Sequence, residues 1–218
     1  YDVSYFTGVD SDRSGNELLE HKLFLSVGHD EYWSAAQRAN VEAARAAGKH
    51  LAFFSGNQIF WKTRWETSID GSGTPYRTLV SYKETHAGAK IDPEPVWTGT
   101  WRDVRPFNPE GPKPENALSG QIFMVNSGSA PLQVPYAEGR MRMWRNTAAA
   151  ALSPGSPPLE STANVIGYEW DESLDNSARP PGLFHLSNRT VTGVEYLQDN
   201  GSTYAIGTAL HRLSLYRH

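Results

Sequence analysis

The stretch Leu23-Phe24-Leu25-Ser26-Val27-Gly28-His29-Asp30-Glu31-Tyr32-Trp33-Ser34 decides how this chain reads, because an apolar run ends on glycine and gives way to an imidazole, two carboxylates and two aromatics. Residues 23–27 fit a buried strand, and Gly28 permits a tight exit from it. Ser34 then precedes a helical pattern, Gln37 stands where a capping box needs it, and Gly48 closes the helix. Trp33, Ala36, Ala43, Ala44 and Ala47 share one face, a small surface suited to packing on a sheet, while Arg38 and Glu42 are spaced as an i,i+4 ion pair on the other. A second apolar run, 51–54, enters Ser55-Gly56-Asn57. Strand, helix, strand in that order predicts neighbouring parallel strands joined by a right-handed crossover.

Working outward, residues 3–7 alternate as a first strand, 10–15 read as a turn, and 16–20 fit one or two helical turns. Residues 58–64 could begin another helix with Asn57 as its cap. From 67 to 160 the pattern becomes irregular. A turn at 70–73 and strands at 78–83 and 140–144 are separated by Pro-rich loops at 92–95, 106–114 and 153–158. Order returns through 165–170, 182–186 and 209–216. The fold expected is a single α/β domain over 1–218: a three-layer parallel sheet with core 1–66, an irregular β-rich insertion at 67–160, and a return to the core at 161–218. Because residue 1 lies inside a strand-like run, the expectation is a domain truncated at both ends.

Composition narrows the chemistry. The chain has 218 residues, 39% of them apolar, with seven Trp, ten Tyr and eight Phe, ample for one packed domain. A formal net charge of -4 without a basic run leaves no footprint for nucleic acid or an anionic membrane. The absence of cysteine excludes disulfides, thiolate metal sites and a cysteine nucleophile. No apolar stretch approaches the roughly 18 residues of a membrane span, and the first residues lack the basic and apolar regions of a signal peptide. The compartment stays open.

In open parallel sheets, ligands bind at the carboxyl ends of strands. The strand exits at Gly28 and Gly56 would bring His29, Glu31 and Asn57 to one rim. There His29 could carry a proton near neutral pH, Glu31 could act as general base or metal ligand, and Asn57 could donate to a developing oxyanion. A purely structural reading stands beside this one. In it Asp30 caps the helix, Glu31 complements its dipole, His29 bonds a loop, and Asn57 caps the next helix. Glu169, in Gly167-Tyr168-Glu169-Trp170-Asp171, is a further carboxylate in an aromatic setting, with an exposed strand position as its plain alternative. The other histidines lack ligand spacing.

Val27-Gly28-His29-Asp30-Glu31-Tyr32-Trp33-Ser34, the run 51–57 with Phe60-Trp61-Lys62-Thr63-Arg64, Trp144-Arg145-Asn146-Thr147 and Gly167-Tyr168-Glu169-Trp170-Asp171 together resemble the C-terminal domain family of the N,N-dimethylformamidase large subunit. The resemblance implies a glutamine-amidotransferase-like or flavodoxin-like fold without its cysteine nucleophile. It implies hydrolysis of the C–N bond of a small N-substituted formamide at a mononuclear iron held by two tyrosines and a glutamate. By motif position that glutamate is Glu31, with His29, Asn57 and Glu169 around it. The family's tyrosine ligands lie well upstream of the Gly-His-Asp-Glu motif, where Tyr1 and Tyr5 are poor substitutes, so an incomplete metal site is expected. A small subunit or further domains are the implied partners. The rival expectations are a non-catalytic carbohydrate- or peptide-binding module on the same fold, or a structural domain of a large surface protein.

Overall fold

A computed structural model describes residues 2–218. It divides into two compact units, one running to Lys113 and the other covering Pro114–Arg217. The expected three-layer parallel sheet is not what the chain forms. Among the described residues the strands make five small sheets of two to four strands, in a mixed α/β arrangement.

The first unit opens with a correction. Residues 3–7 form no strand; Thr7 instead caps helix α1 (Gly8–Arg13), its hydroxyl accepting from the Asp10 N–H at 3.2 Å while Asp10 accepts from the Thr7 N–H at 3.0 Å. Reciprocal capping satisfies two helix-end groups locally, whereas alternation needs a partner strand to gain anything. A 3-10 turn at Gly15–Glu20 follows, at the expected short helical segment.

Strand β1 (Leu23–His29), strand β2 (Tyr32–Ser34), helix α2 (Ala35–Ala46) and strand β3 (His50–Gly56) then realise the decisive stretch. β1 and β3 pair in parallel from Leu23↔His50 to His29↔Gly56. One face of this pair carries Phe24 and Phe53, which meet the fully buried Trp33 at centroid distances of 6.3 and 6.4 Å. On the other face Leu25, Val27 and Phe54 are 48%, 71% and 64% exposed, so the strand expected to be buried is covered on one side only.

Ser34 caps α2 as expected, accepting from the Gln37 N–H at 3.1 Å, and its own hydroxyl donates to Asp12. The buried face, however, is Gln37, Arg38, Val41 and Ala44, while Ala36, Ala43 and Ala47 are exposed. Arg38 does pair with Glu42 at 2.8 Å, but from inside, with its guanidinium 4.7 Å from the Trp101 ring. A buried arginine is tolerated because the ion pair, the ring and the Lys113 carbonyl share its charge and donors.

No helix follows Asn57. Strand β4 (Trp61–Glu66) runs there instead, parallel to β2 and antiparallel to strand β5 (Thr78–Val80). Aromatic and β-branched residues alternating through Phe60-Trp61-Lys62-Thr63-Arg64-Trp65 fit a strand's period of two better than a helix. Beyond helix α3 (Glu84–Ala87), Glu84 is fully buried and accepts from the N–H groups of Ile91, Asp92 and Thr98 at 2.6–2.8 Å. Arg64 grips Asp92 bidentately at 2.8 Å. This irregular segment is therefore organised around buried carboxylates as well as the buried Trp97 and Trp101.

The second unit starts with helix α4 (Asn116–Ser119) and strand β6 (Ile122–Ser127). Strand β7 (Gln133–Val134), helix α5 (Tyr136–Gly139), strand β8 (Leu159–Glu160), strand β9 (Trp170–Glu172), strand β10 (Phe184–His185), strand β11 (Arg189–Leu197), strand β12 (Tyr204–His211) and strand β13 (Ser214–Leu215) follow. Four of these form an antiparallel sheet in the order β12-β11-β6-β9. Its buried apolar cluster is Val125, Ala130, Ile166, Trp170, Val194 and Ala209. The strand expected at 140–144 is a 3-10 turn, Arg142–Trp144, because no neighbouring strand is there to pair with it.

Candidate functional site

The first unit brings the predicted rim together through its backbone. The parallel register sets Gly28 opposite Ser55 and His29 opposite Gly56, so both strands end at one level. The connector after β1 and the loop after β3 are then stitched together. Ile59 N–H donates to the Asp30 carbonyl, and the N–H groups of Phe60 and Trp61 both donate to the Glu31 carbonyl, each at 2.9 Å. His29 is exposed, Glu31 half-buried, and Asn57 3% exposed. Glu169 lies in the second unit, half-buried just before β9.

Three parts of the structural alternative fail here. The helix cap is Ser34, not Asp30, whose carboxylate accepts from the Ser26 hydroxyl at 2.8 Å. The first turn of α2 holds no acid, so Glu31 does not serve the helix dipole. Asn57 precedes a strand and caps nothing.

The loop itself is strained. Asn57 and Ile59 adopt φ of 53° and 59°. Asparagine tolerates the left-handed region, but for a β-branched residue it is an outlier that costs of order 1–3 kcal/mol. Ile59 is held there by complete burial and by its bond to Asp30.

A cation that sequence reasoning missed stands beside the rim. Tyr32 and Trp61 are register partners on β2 and β4, so their rings lie side by side. Lys83 Nζ sits 5.5 Å from the first ring centroid and 4.8 Å from the second. Lys83 is itself left-handed, with φ of 47°, and His86 meets Trp61 edge-on at 4.9 Å. No local pattern around Tyr82-Lys83-Glu84 marks this lysine; only the pairing of β2 with β4 makes its platform.

A cavity of about 710 Å³ lies elsewhere on the unit, at the start of α2 and along β4, between Asp12, Ser34, Thr63, Trp65 and Tyr76. None of His29, Glu31 or Asn57 lines it. The geometric argument for the rim rests on the strand ends, and this cavity adds nothing to it.

Glu31 offers one hard oxygen donor of the kind ferric iron takes. Among the described residues no group of three or more His, Cys, Asp or Glu converges. Tyr5 is 97% exposed and Tyr32 is engaged with Lys83; Tyr1 lies outside the described residues.

A mixed α/β chain whose polar groups gather where two parallel strands end is built like a domain for small-molecule chemistry. Residues 1–217 match the family described as N,N-dimethylformamidase beta subunit-like, C-terminal, and the chain belongs to that family. Its description is that of a dimethylformamidase-related, hydrolase-type domain in a subunit of a multi-subunit enzyme. No curated protein matches the chain. Among the described residues no helix is long and apolar enough to cross a membrane.

Proposed function

We propose that the domain hydrolyses the C–N bond of a small amide of the N-substituted formamide type at the rim formed by His29, Glu31 and Asn57. The observation carrying this is the parallel pairing that ends β1 and β3 together, with helix-capping roles removed for Asp30, Glu31 and Asn57. Iron, which the resemblance implies, would find a hard oxygen donor in Glu31 and would polarise the amide carbonyl; the steps below are those open to the chain's own residues.

The Glu31 carboxylate takes a proton from water as the water oxygen bonds to the amide carbon. Negative charge then develops on the carbonyl oxygen, where the Asn57 carboxamide N–H donates and the Lys83 ammonium supplies a favourable field. His29 delivers a proton to the leaving nitrogen as the C–N bond breaks, releasing amine and carboxylic acid.

Amine release from N,N-dimethylformamide, N-methylformamide and formamide tests the reading. Glu31→Gln is expected to lower kcat on the order of 100-fold or more, and Asn57→Gly, which keeps the left-handed backbone, by a similar factor. Turnover unchanged in both variants would defeat the proposal.

A further inference from the structure

We infer that the second unit carries an oxyanion site made by Arg140, Arg142 and Arg145, shaped for a compact tetrahedral group such as phosphate or sulfate. The three arginines line one concavity of about 220 Å³, together with Gly139, Met141 and Ala150. That volume is below the roughly 300–1,000 Å³ of pockets for drug-sized ligands, so it suits a small group rather than an extended polymer.

The convergence is built by the local fold. Arg142 opens a 3-10 turn and Arg145 follows it by three residues, the spacing at which side chains eclipse. Arg145 Nη1 folds back to the Arg142 carbonyl at 3.5 Å. Arg140 is aimed by Tyr136, whose hydroxyl accepts from Nη1 at 3.0 Å. Beneath them the scaffold is fixed: a Cβ added to Gly139 would fall 2.5 Å from the Ala149 carbonyl oxygen, and Trp144 Nε1 donates to the Leu186 carbonyl at 2.8 Å.

Three arginines lining one concavity place like charges close together, and an anion bound among them would relieve that repulsion. Among the described residues none of the three forms an ion pair with a carboxylate. In a chain of net charge -4 this is a local focus of positive potential, and guanidinium forks match the paired oxygens of phosphate and sulfate. Met141, 38% exposed, lines the concavity and gives it an apolar margin, which suits an oxyanion carried on an organic body.

Calorimetric titration of the whole chain with inorganic phosphate, sulfate, phenyl phosphate and phenyl sulfate, at ionic strength matched with chloride, tests the site. One saturable site is expected, weakened about ten-fold or more in Arg142→Gln and in Arg145→Gln, less in Arg142→Lys, and unchanged in Arg77→Gln. Preference among the four ligands separates a phosphate from a sulfate source, and a free ion from an ester. No saturation above the chloride background, equal binding by the Gln variants, or acetate binding as tightly as phosphate would each overturn the assignment.

Discussion

Lowering the pH from 7 to 4 is expected to destabilise the second unit chiefly through His211, with His185, also held below its ordinary value by burial, acting in the same direction. The His211 ring lies on β12 with Nδ1 buried and without a hydrogen-bond partner, 5.7 Å from Trp170 in an edge-on contact. Burial pushes its pKa from the ordinary 6.5 down to about 4. The unfolded chain therefore binds a proton over a window in which the folded unit does not, and stability must fall as pH falls from about 6.5 towards 4. At about 1.4 kcal/mol for each pH unit, the full loss is roughly 3 kcal/mol. Carboxylates held low, such as Asp199 at about 2, lose their contribution only once the pH drops below the ordinary carboxylate range, so they do not fill the same window. Urea unfolding between pH 7.5 and 4.5, followed through Trp170 by difference from Trp170→Phe, reads the slope. His211→Phe keeps an aromatic ring against Trp170 and removes the proton, and should flatten it. A wild-type midpoint that does not move across the window, or the same slope in His211→Phe, would refute the reasoning.

Three further outcomes can be checked. Glu84→Gln should destabilise the first unit by about 2–4 kcal/mol in chemical denaturation, since three N–H groups lose a charged acceptor. Burial pushes that carboxyl up but the N–H groups of Thr98 and Asp92 and the Lys90 ammonium hold it below its ordinary value, so its contribution is lost as pH falls through the acid range. Ser34→Ala removes the α2 cap and the donor to Asp12, and should cost about 1–2 kcal/mol in the same assay. Val27→Thr and Phe54→Thr, on the uncovered face of the β1–β3 pair, should change stability by no more than about 0.5 kcal/mol, whereas the fully buried Val41→Ala should cost about 2 kcal/mol.

What could be read from the sequence was local and backed by specific chemistry. The Ser34 cap, the strands at 23–29 and 50–56 and their parallel pairing all appear, because glycine exits and a capping serine act within a few residues. The three-layer sheet did not follow, since it required long-range pairing that short apolar runs do not specify. The α2 face was misread for a similar reason. Alanine spacing pointed to Ala36, Ala43 and Ala47, but Arg38 and Gln37 went inward because distant groups, Trp101 and the Lys113 carbonyl, satisfy Arg38 there. Residues 140–144 alternate like a strand yet coil into a 3-10 turn, so periodicity without a partner strand misled.

The rim is also where local rules fail most sharply. Asn57, Ile59 and Lys83 all hold positive φ, and each is tied to the connector around Glu31: Asn57 by following β3, Ile59 by its bond to Asp30, and Lys83 by the Tyr32–Trp61 platform. No pattern in residues 57–59 or 82–84 asks for those conformations, and an isoleucine resists one of them. Strain of this kind persists only where the surroundings over-determine it, and it gathers at sites that must present groups in fixed positions. Replacing Ile59 with glycine would remove a backbone cost of about 1–3 kcal/mol but also a fully buried side chain worth about 2–5 kcal/mol, so the unit stays folded at a net loss of order 2 kcal/mol while the loop that carries Asn57 loosens. A rim that works by preorganisation should then lose turnover without losing its fold, whereas a rim that merely joins two strands should show neither change.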